Sequence, residues 1–547
     1  MTDSIQNPDE DYTKCTVMDL SELYRSKKVK PTQVLEQYIA RIIQLNGPFH
    51  QYTEEAIGYN AIVQLFEDDA RIEARNADAR FEQWTPGTEP PPPVLCGVPI
   101  AIKENIEVRG RECVVAAPDL FAGNVAASDA TVVEKLHEQG AVIVGYAIAS
   151  RLTENTQGMF AGNAWDVARS PGGSSQGSGV APIIRFCVAA LGGETGGSIT
   201  KPASANGTSA IKPSSGLISV AGVMPMQPGI DVVGPMARSM QDAAVLMNAV
   251  MGVDSKDPQT LEDPTPPSKM PTLPRIGRQP LKGLKIGVPQ QDWMINQKGT
   301  PPYDAYIPDY QTAFTQLTND LVSLGAEVTT AFNGLDIDNE DENPFFNYKS
   351  LGTFEIDFPI YGGPIPMPIM AEQAVCFPNW IEWGWIAKIK EFAETIEDDE
   401  RKTHLLRVMT GIQEPIAKYL IDNPELRSEG QERLRRLRAN YSAALAAENI
   451  DFMLFLELGA YPRSKYTPTG LDLPIYREHF ALENAMGWPV VTFPIGHGMA
   501  TGLEPTEMPI SASFWGPRFS DAILVQVVLD YQDRFNYHTK IPKEMSK

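Results

Sequence analysis

Between Val98 and Ala237 short apolar runs alternate with stretches of helical periodicity, and this alternation constrains the fold more than any other feature of the chain. Val98 to Ile102 and Ala141 to Val144 read as strands, and Ala130 to Gln139 reads as a helix between them. Such a succession predicts parallel strands joined by crossover helices, that is, an α/β fold.

The flanking sequence is organised around this core. Leu20, Leu23, Val34, Leu35, Tyr38, Ile39 and Ile42 lie at helical spacing within residues 16 to 45, and Pro31 opens a second helix after a lysine-rich turn, so a helical hairpin is predicted. Pro86 to Pro93 reads as a stiff connector. It sets the expected division into residues 1–85, a helical segment packing on the core, and residues 94–547, one large domain. Within the latter, 290–450 is expected to be a variable region. The proline cluster from Pro264 to Pro280 reads as a surface loop, because the strand-like run Leu284 to Val288 that follows it is placed to rejoin the same sheet. From about Asn343 to Trp385 the chain is aromatic and proline-rich, either as packing around an irregular segment or as the wall of an apolar channel. Residues 402 to 447 read as helical and Phe452 to Leu456 as a buried strand.

Composition excludes several classes of function. With 43% hydrophobic and 21% charged residues, a chain of 547 residues has material for a large core. Its formal charge of -23 repels phosphate backbones and anionic lipid, which argues against nucleic acid as a partner. The five cysteines (Cys15, Cys96, Cys113, Cys187 and Cys376) form no CxxC pair, so neither a zinc site nor a disulfide framework is predicted, and a reduced compartment fits best. The first residues, MTDSIQNPDEDYTK, have no basic or apolar signal region. No apolar run reaches the ~18 residues of a membrane span. A soluble, cytoplasmic protein is expected.

Two serines and a lysine carry the chemistry. Ser174 lies in Gly172-Gly173-Ser174-Ser175, Ser198 in Gly196-Gly197-Ser198, and Lys103 ends the apolar run that begins at Val98. A serine hydroxyl needs a base before it attacks, and no histidine occurs in these segments. Glycines ahead of a nucleophile let backbone N–H groups converge on one point, as in an oxyanion hole. A phosphate-cradling loop is the other reading of Gly192 to Ser198, but the lysine required by a P-loop is not in place, since Lys201 follows Ser198 and Thr200. Gly173 to Gly177 also matches GxSxG, which would make Ser175 the nucleophile of an α/β-hydrolase-type esterase with His479, His497 or His538 as partner. The residues ahead of it, Asn163 to Pro171, lack the hydrophobic strand of a nucleophile elbow.

Taken together, GVPIAIKENI, GGSSQGSG, ALGGETGGSI, IKPSSGLIS, DVVGPMARSMQDAA and, near the end, LENAMGWPVVTFPIG resemble the amidase signature family of serine hydrolases. The resemblance covers most of residues 16 to 290 and is weak from about 291 to 450. It implies a large single-domain α/β fold with a central mixed sheet covered by helices on both faces, with residues 94–547 as the catalytic domain and 290–450 on its substrate side. It further implies that Lys103 is the catalytic lysine, Ser174 a bridging serine after a non-proline cis peptide, and Ser198 the acyl-forming nucleophile. Thr195, Gly196 and Gly197 would form the oxyanion hole, and Ser175 would support Lys103. The activity implied is hydrolysis of carboxamide C–N bonds, with esters or carbamates as further substrate classes. A relay of this kind requires no metal or organic cofactor, and it requires Lys103 to be neutral, which the apolar run before it favours through desolvation.

The chain departs from the family pattern at Glu194 where Asp is common, at Thr200 where Arg is usual, and at Gln176 where a small residue is usual. Three other readings stay open. One is the glutaminase-like subunit of a tRNA-dependent amidotransferase, and another is the Ser175 esterase. The third is a binding protein without turnover. The expected partner is a small-molecule amide, and a homodimer stays open because nothing in the sequence fixes an oligomeric state.

Overall fold

The computed structural model describes residues 10–153, 158–262, 267–289, 306–332, 350–467, 473–475 and 480–543. Residues 290–305 and 333–349 of the expected substrate-side region lie outside these, as does His479. The strands are β1 (Ile62–Leu65), β2 (Pro99–Lys103), β3 (Val142–Ala147), β4 (Ala189–Glu194), β5 (Ser209–Lys212), β6 (Val232–Ala237) and β7 (Lys285–Pro289). They continue with β8 (Glu327–Phe332), β9 (Ser350–Phe358), β10 (Gly363–Met370), β11 (Phe452–Phe455), β12 (Val490–Ala500) and β13 (Thr506–Trp515). Eleven of them form one sheet in the order β1-β3-β2-β4-β6-β5-β12-β13-β11-β7-β8.

The sheet is mixed. Strand β2 runs parallel to both β3 and β4, whereas β4–β6, β6–β5, β5–β12, β12–β13 and β13–β11 are antiparallel. The crossover expectation for residues 98 to 237 therefore holds for β2, β3 and β4 and fails for β5 and β6. These two are joined through irregular residues 213–231 with no helix between them, and an antiparallel pair needs no crossover.

Alternation along the strands divides the core between the two faces. Ile100, Ile102, Ile143, Tyr146 and Leu191 belong to one apolar cluster, which the helices Thr131–Gln139, Met240–Val250 and Asp521–Arg534 cover with Leu136, Leu246 and Leu524. Ala101, Val142, Val144 and Ala190 belong to a second cluster, with Ile39 and Ile42 of the helix Pro31–Leu45 and Val180 of the helix Gln176–Val180. The two predicted helices are Val17–Arg25 and Pro31–Leu45, and the second packs chiefly on the helix Glu67–Gln83 rather than on the first. Thr16 and Asp19 exchange side-chain-to-backbone hydrogen bonds at the first N-terminus, a capping box, and Pro31 starts the second helix. Residues before 85 also supply β1, which edges the sheet against β3.

Residues 267–280 are irregular, as read from their prolines. Residues 350–447 form a satellite layer, in which the hairpin β9–β10 precedes six helices between Ala371 and Ala447. No described helix is long and apolar enough to cross a membrane.

Candidate active site

The strand order brings the candidate residues together. Because β2 and β4 are parallel neighbours, their C-terminal ends, Lys103 and Glu194, emerge at the same edge of the sheet, where open α/β sheets place their sites. Ser174 stands on the loop that follows β3 and leads into the helix Gln176–Val180, and Ser198 on the turn between β4 and the helix Thr200–Asn206. Two glycines make this packing feasible. A Cβ on Gly192 would sit 2.8 Å from Met236 Sδ and 3.1 Å from Ser175 Oγ, and Gly197 turns the chain at φ +84°.

Lys103 is 1% exposed, Ser174 and Ser175 are fully buried, and Ser198 is 2% exposed. Lys103 Nζ lies 2.9 Å from Ser174 Oγ and 3.0 Å from the carbonyl oxygen of Gly193. The Gly173–Ser174 peptide is cis, as the family resemblance implies. Ser175 does not bond Lys103. Its Oγ donates to Gly193 O at 3.0 Å and accepts from Gly193 N–H at 3.1 Å, so the two side chains meet on one carbonyl. The N–H of Ser175 donates to Ser198 O at 3.1 Å, which ties the two serine segments together. Thr195 and Gly196 are only half-buried and mark where solvent reaches the turn.

Burial governs the electrostatics. Desolvation pushes the Lys103 amine down to about 7, against the opposing pull of the Asp231, Glu194 and Glu104 carboxylates. The same cause pushes the carboxyls of Glu104 and Asp231 up to about 7.

Three residues that the sequence reading did not place in the site support its turns. Glu194 Oε2 accepts the N–H groups of Ile199 (2.7 Å) and Thr200 (3.0 Å), closing the loop that carries Ser198, and the longer side chain relative to the family's Asp reaches this role. Asp231 accepts from Thr195 Oγ1 and from the N–H groups of Met226 and Gln227, so it anchors the exposed end of the same loop. Glu104 accepts from Ala149 N–H at 2.7 Å and Tyr52 OH at 3.2 Å. Both Glu104 and Asp231 stand inside quoted motifs, GVPIAIKENI and DVVGPMARSMQDAA, and a buried acid beside the lysine was the signal available. Gln176, a departure from the family pattern, donates to Ser150 Oγ and Gly158 O and accepts from Ala161 N–H, which fastens the loop around Ser150.

The esterase alternative finds no support among the described residues. Among them no strand ends directly before Ser175, and its hydroxyl is held by both backbone groups of Gly193. His497 lies on β12 against the Trp165 ring, His538 lies in a short 3-10 turn, and burial pushes both down to about 4. In the described part of the aromatic segment Phe358, Trp380 and Trp385 are buried in satellite cores, while Ile356, Pro359 and Ile360 line a cavity beside the helices Asp399–Met409 and Gln413–Asp422. The segment's contact with the site side runs through Asn379, which donates to Pro228 O at 2.8 Å in the turn ahead of Asp231.

The model of the Amidase family matches residues 46–333. A glutamyl-tRNA(Gln) amidotransferase subunit of Lacticaseibacillus paracasei is 37% identical over 287 residues, 51% of this chain and 54% of that protein. The chain thus spans about half the length of the curated relatives it matches. Among solved structures, native peptide amidase from Stenotrophomonas maltophilia superposes with a TM-score of 0.68 at 22% identity, covering 96% of this chain and 98% of that one. A 6-aminohexanoate cyclic dimer hydrolase superposes with a TM-score of 0.65 at 19% identity, covering 98% and 99%. These likenesses extend the shared fold across nearly the whole chain, beyond the matched half.

Proposed function

The chain belongs to the amidase family, and from that premise we propose that it hydrolyses carboxamide C–N bonds through an acyl-enzyme on Ser198, with Ser174 and Lys103 as the proton relay. The observation that carries the reading is the buried Lys103 amine, held near neutrality by desolvation and 2.9 Å from Ser174 Oγ. In its neutral form the amine gives one N–H to Gly193 O and turns its lone pair to the Ser174 hydroxyl. Ser198 Oγ attacks the amide carbon as its proton passes to Ser174, whose own proton passes to Lys103. The N–H groups of Thr195, Gly196 and Gly197 receive the oxyanion. Collapse of the tetrahedral intermediate breaks the C–N bond, and the leaving amine takes its proton back through Ser174. Water then enters by the same relay and releases the carboxylic acid, regenerating Ser198.

A second reading is favoured by one observation, the 37% identity to one component of an amidotransferase. Under it the ammonia released from an amide is passed on within a complex. The charge of -23 counts against a tRNA surface on this chain itself.

The deciding experiment is release of ammonia or amine by the isolated protein from aliphatic, aryl, peptide C-terminal, ester and carbamate substrates, with Ser198→Ala and Lys103→Ala beside it. Turnover abolished by both substitutions is the expected result. Turnover that survives Ser198→Ala refutes the assignment, and turnover that appears only with partner proteins present favours the second reading.

A further inference from the structure

A cavity of about 180 Å³ is lined by Ser215, Ile230, Glu262, Arg438, Asn484 and Arg518, and three of these hold unanswered polar atoms. Asn484 is 1% exposed. Its Nδ2 donates to Glu194 O at 2.9 Å and to Ile230 O at 3.1 Å, which fixes the amide's orientation and leaves Oδ1 as an acceptor without a partner. Ser215, 8% exposed, presents a hydroxyl that is also unanswered. Arg518 adds a buried Nε–H with no acceptor, while its Nη2 donates to Ser215 O at 2.9 Å. Arg438 stands opposite. Its Nε and Nη2 bond the carbonyls of Met486 and Ala485, and the rest of its five-donor fork is left for other groups.

Two guanidinium groups share this small space with one carboxylate. Burial lowers the affinity of Arg438 for its proton, and the nearby Arg518 charge lowers it further, with Glu262 as the opposing group. Glu262 is 62% exposed and reaches only within 3.7 Å of Arg518 Nη2, so among the described lining residues one carboxylate faces two guanidinium groups. Half-buried positive charge beside orphaned buried polar atoms favours an anion. The donors are guanidinium forks and a hydroxyl, which suit the planar oxygens of a carboxylate. The orphaned Asn484 Oδ1 adds a demand that a bare anion does not meet, namely a hydrogen-bond donor on the ligand.

We propose that this cavity binds a small carboxylate that also carries a hydrogen-bond donor, the chemistry of an amino acid or a hydroxy acid, with its carboxylate on Arg438, Arg518 and Ser215 and its donor on Asn484 Oδ1. None of the Ser198 relay residues lines the cavity, and Asn484 links the two through its bond to Glu194 O. The site does not rest on the hydrolase reading, because its test reads binding alone.

The test is calorimetric titration of the intact protein with glycine, glycolate, acetate and inorganic phosphate. Glycine or glycolate is expected to bind saturably, with acetate at least fivefold weaker for lack of a donor. Arg518→Gln is expected to weaken that binding at least tenfold. Ser215→Ala keeps both charges and is expected to weaken it two- to fivefold, and it decides the matter if the arginine variant does not fold. Absence of saturable heat with every probe leaves water as the only occupant and overturns the proposal. So do equal affinities for acetate and glycolate, phosphate bound more tightly than either donor-bearing acid, or glycolate binding unchanged by both substitutions.

Discussion

Lys103 is the residue on which the proposed chemistry turns, because desolvation can strip a lysine of its proton near neutral pH and so supply a base where no histidine stands. With its amine pushed to about 7, kcat/KM is expected to rise about tenfold per pH unit below that value and to level off above it. Lys103→Ala and Ser198→Ala are each expected to lower kcat by about 10⁴-fold or more, as removal of one member of a concerted relay does. Glu194 offers a sharper test, since it serves the site in two ways. Its negative charge favours the Lys103 ammonium, so Glu194→Gln removes a proton-retaining influence and shifts the ascending limb toward acid by about half a unit. The amide oxygen of the new side chain still accepts from Ile199 and Thr200 N–H, and kcat is expected to fall by less than about tenfold. Glu194→Ala leaves both buried donors unanswered, at about 1–3 kcal/mol each, and is expected to lower kcat a hundredfold with a visible drop in thermal midpoint. Equal pH profiles for the parent and Glu194→Gln refute the charge argument.

At the scale of elements, what the sequence made legible was whatever follows from periodicity and from glycine. The apolar run ending at Lys103, the helix around Val133 and the strand after Gly140 were readable because each is short, continuous and bounded by a turn residue. The proximity of Lys103 to Ser174 was readable only through the family resemblance, since Lys103 ends β2 and Ser174 stands on the loop after β3, 71 residues on. Strand direction at β5 and β6 was not readable, because the apolar pattern of a buried strand is the same in either sense and only the absent crossover distinguishes them. The support given by Asn484 was hidden for a different reason: it acts across the chain, on a carbonyl 290 residues away, and no spacing rule reaches that far. The N-terminal helices are as much a part of the fold as the sheet they cover. Tyr38, fully buried in the helix Pro31–Leu45 and packed into the main cluster, is expected to cost about 3–5 kcal/mol when replaced by Ala. Urea denaturation measures that loss, and kcat/KM at temperatures where the variant stays folded is expected to remain within about twofold of the parent. A shift below about 1 kcal/mol shows that the segment is a loose appendage.

The whole molecule carries a charge of -23 while its active region buries the carboxyls of Glu104 and Asp231 near a lysine, and both facts tilt stability with pH in the same direction. Glu104 and Asp231 have folded values raised to about 7, above the ~4 of unfolded carboxyls. Between those limits the folded state holds more protons than the unfolded state, so the stability these groups provide is present at mild acid and is lost as pH rises toward 7. His137, raised by its Glu73 and Asp129 partners, acts in the same sense. Lys103 runs the other way: its folded value of about 7 lies below that of an unfolded lysine, so its contribution grows from pH 7 upward. The carboxylates lowered by ion pairs at the surface, such as Glu36 and Asp119, complete their gain at lower pH and leave the interval from 5.5 to 7 to the buried groups. Self-repulsion of the net charge adds to the fall over that interval and is weakened by salt, since the screening length shrinks from about 30 Å at 0.01 M to about 8 Å at 0.15 M. The urea midpoint is therefore expected to be higher at pH 5.5 than at pH 7, with part of the difference erased by 0.15 M NaCl and part by Glu104→Gln, an isostere of the protonated acid. A midpoint that rises between pH 5.5 and 7 in the parent shows that Glu104 and Asp231 are ionised throughout, and the lysine beside them would then be charged and unable to serve as the base.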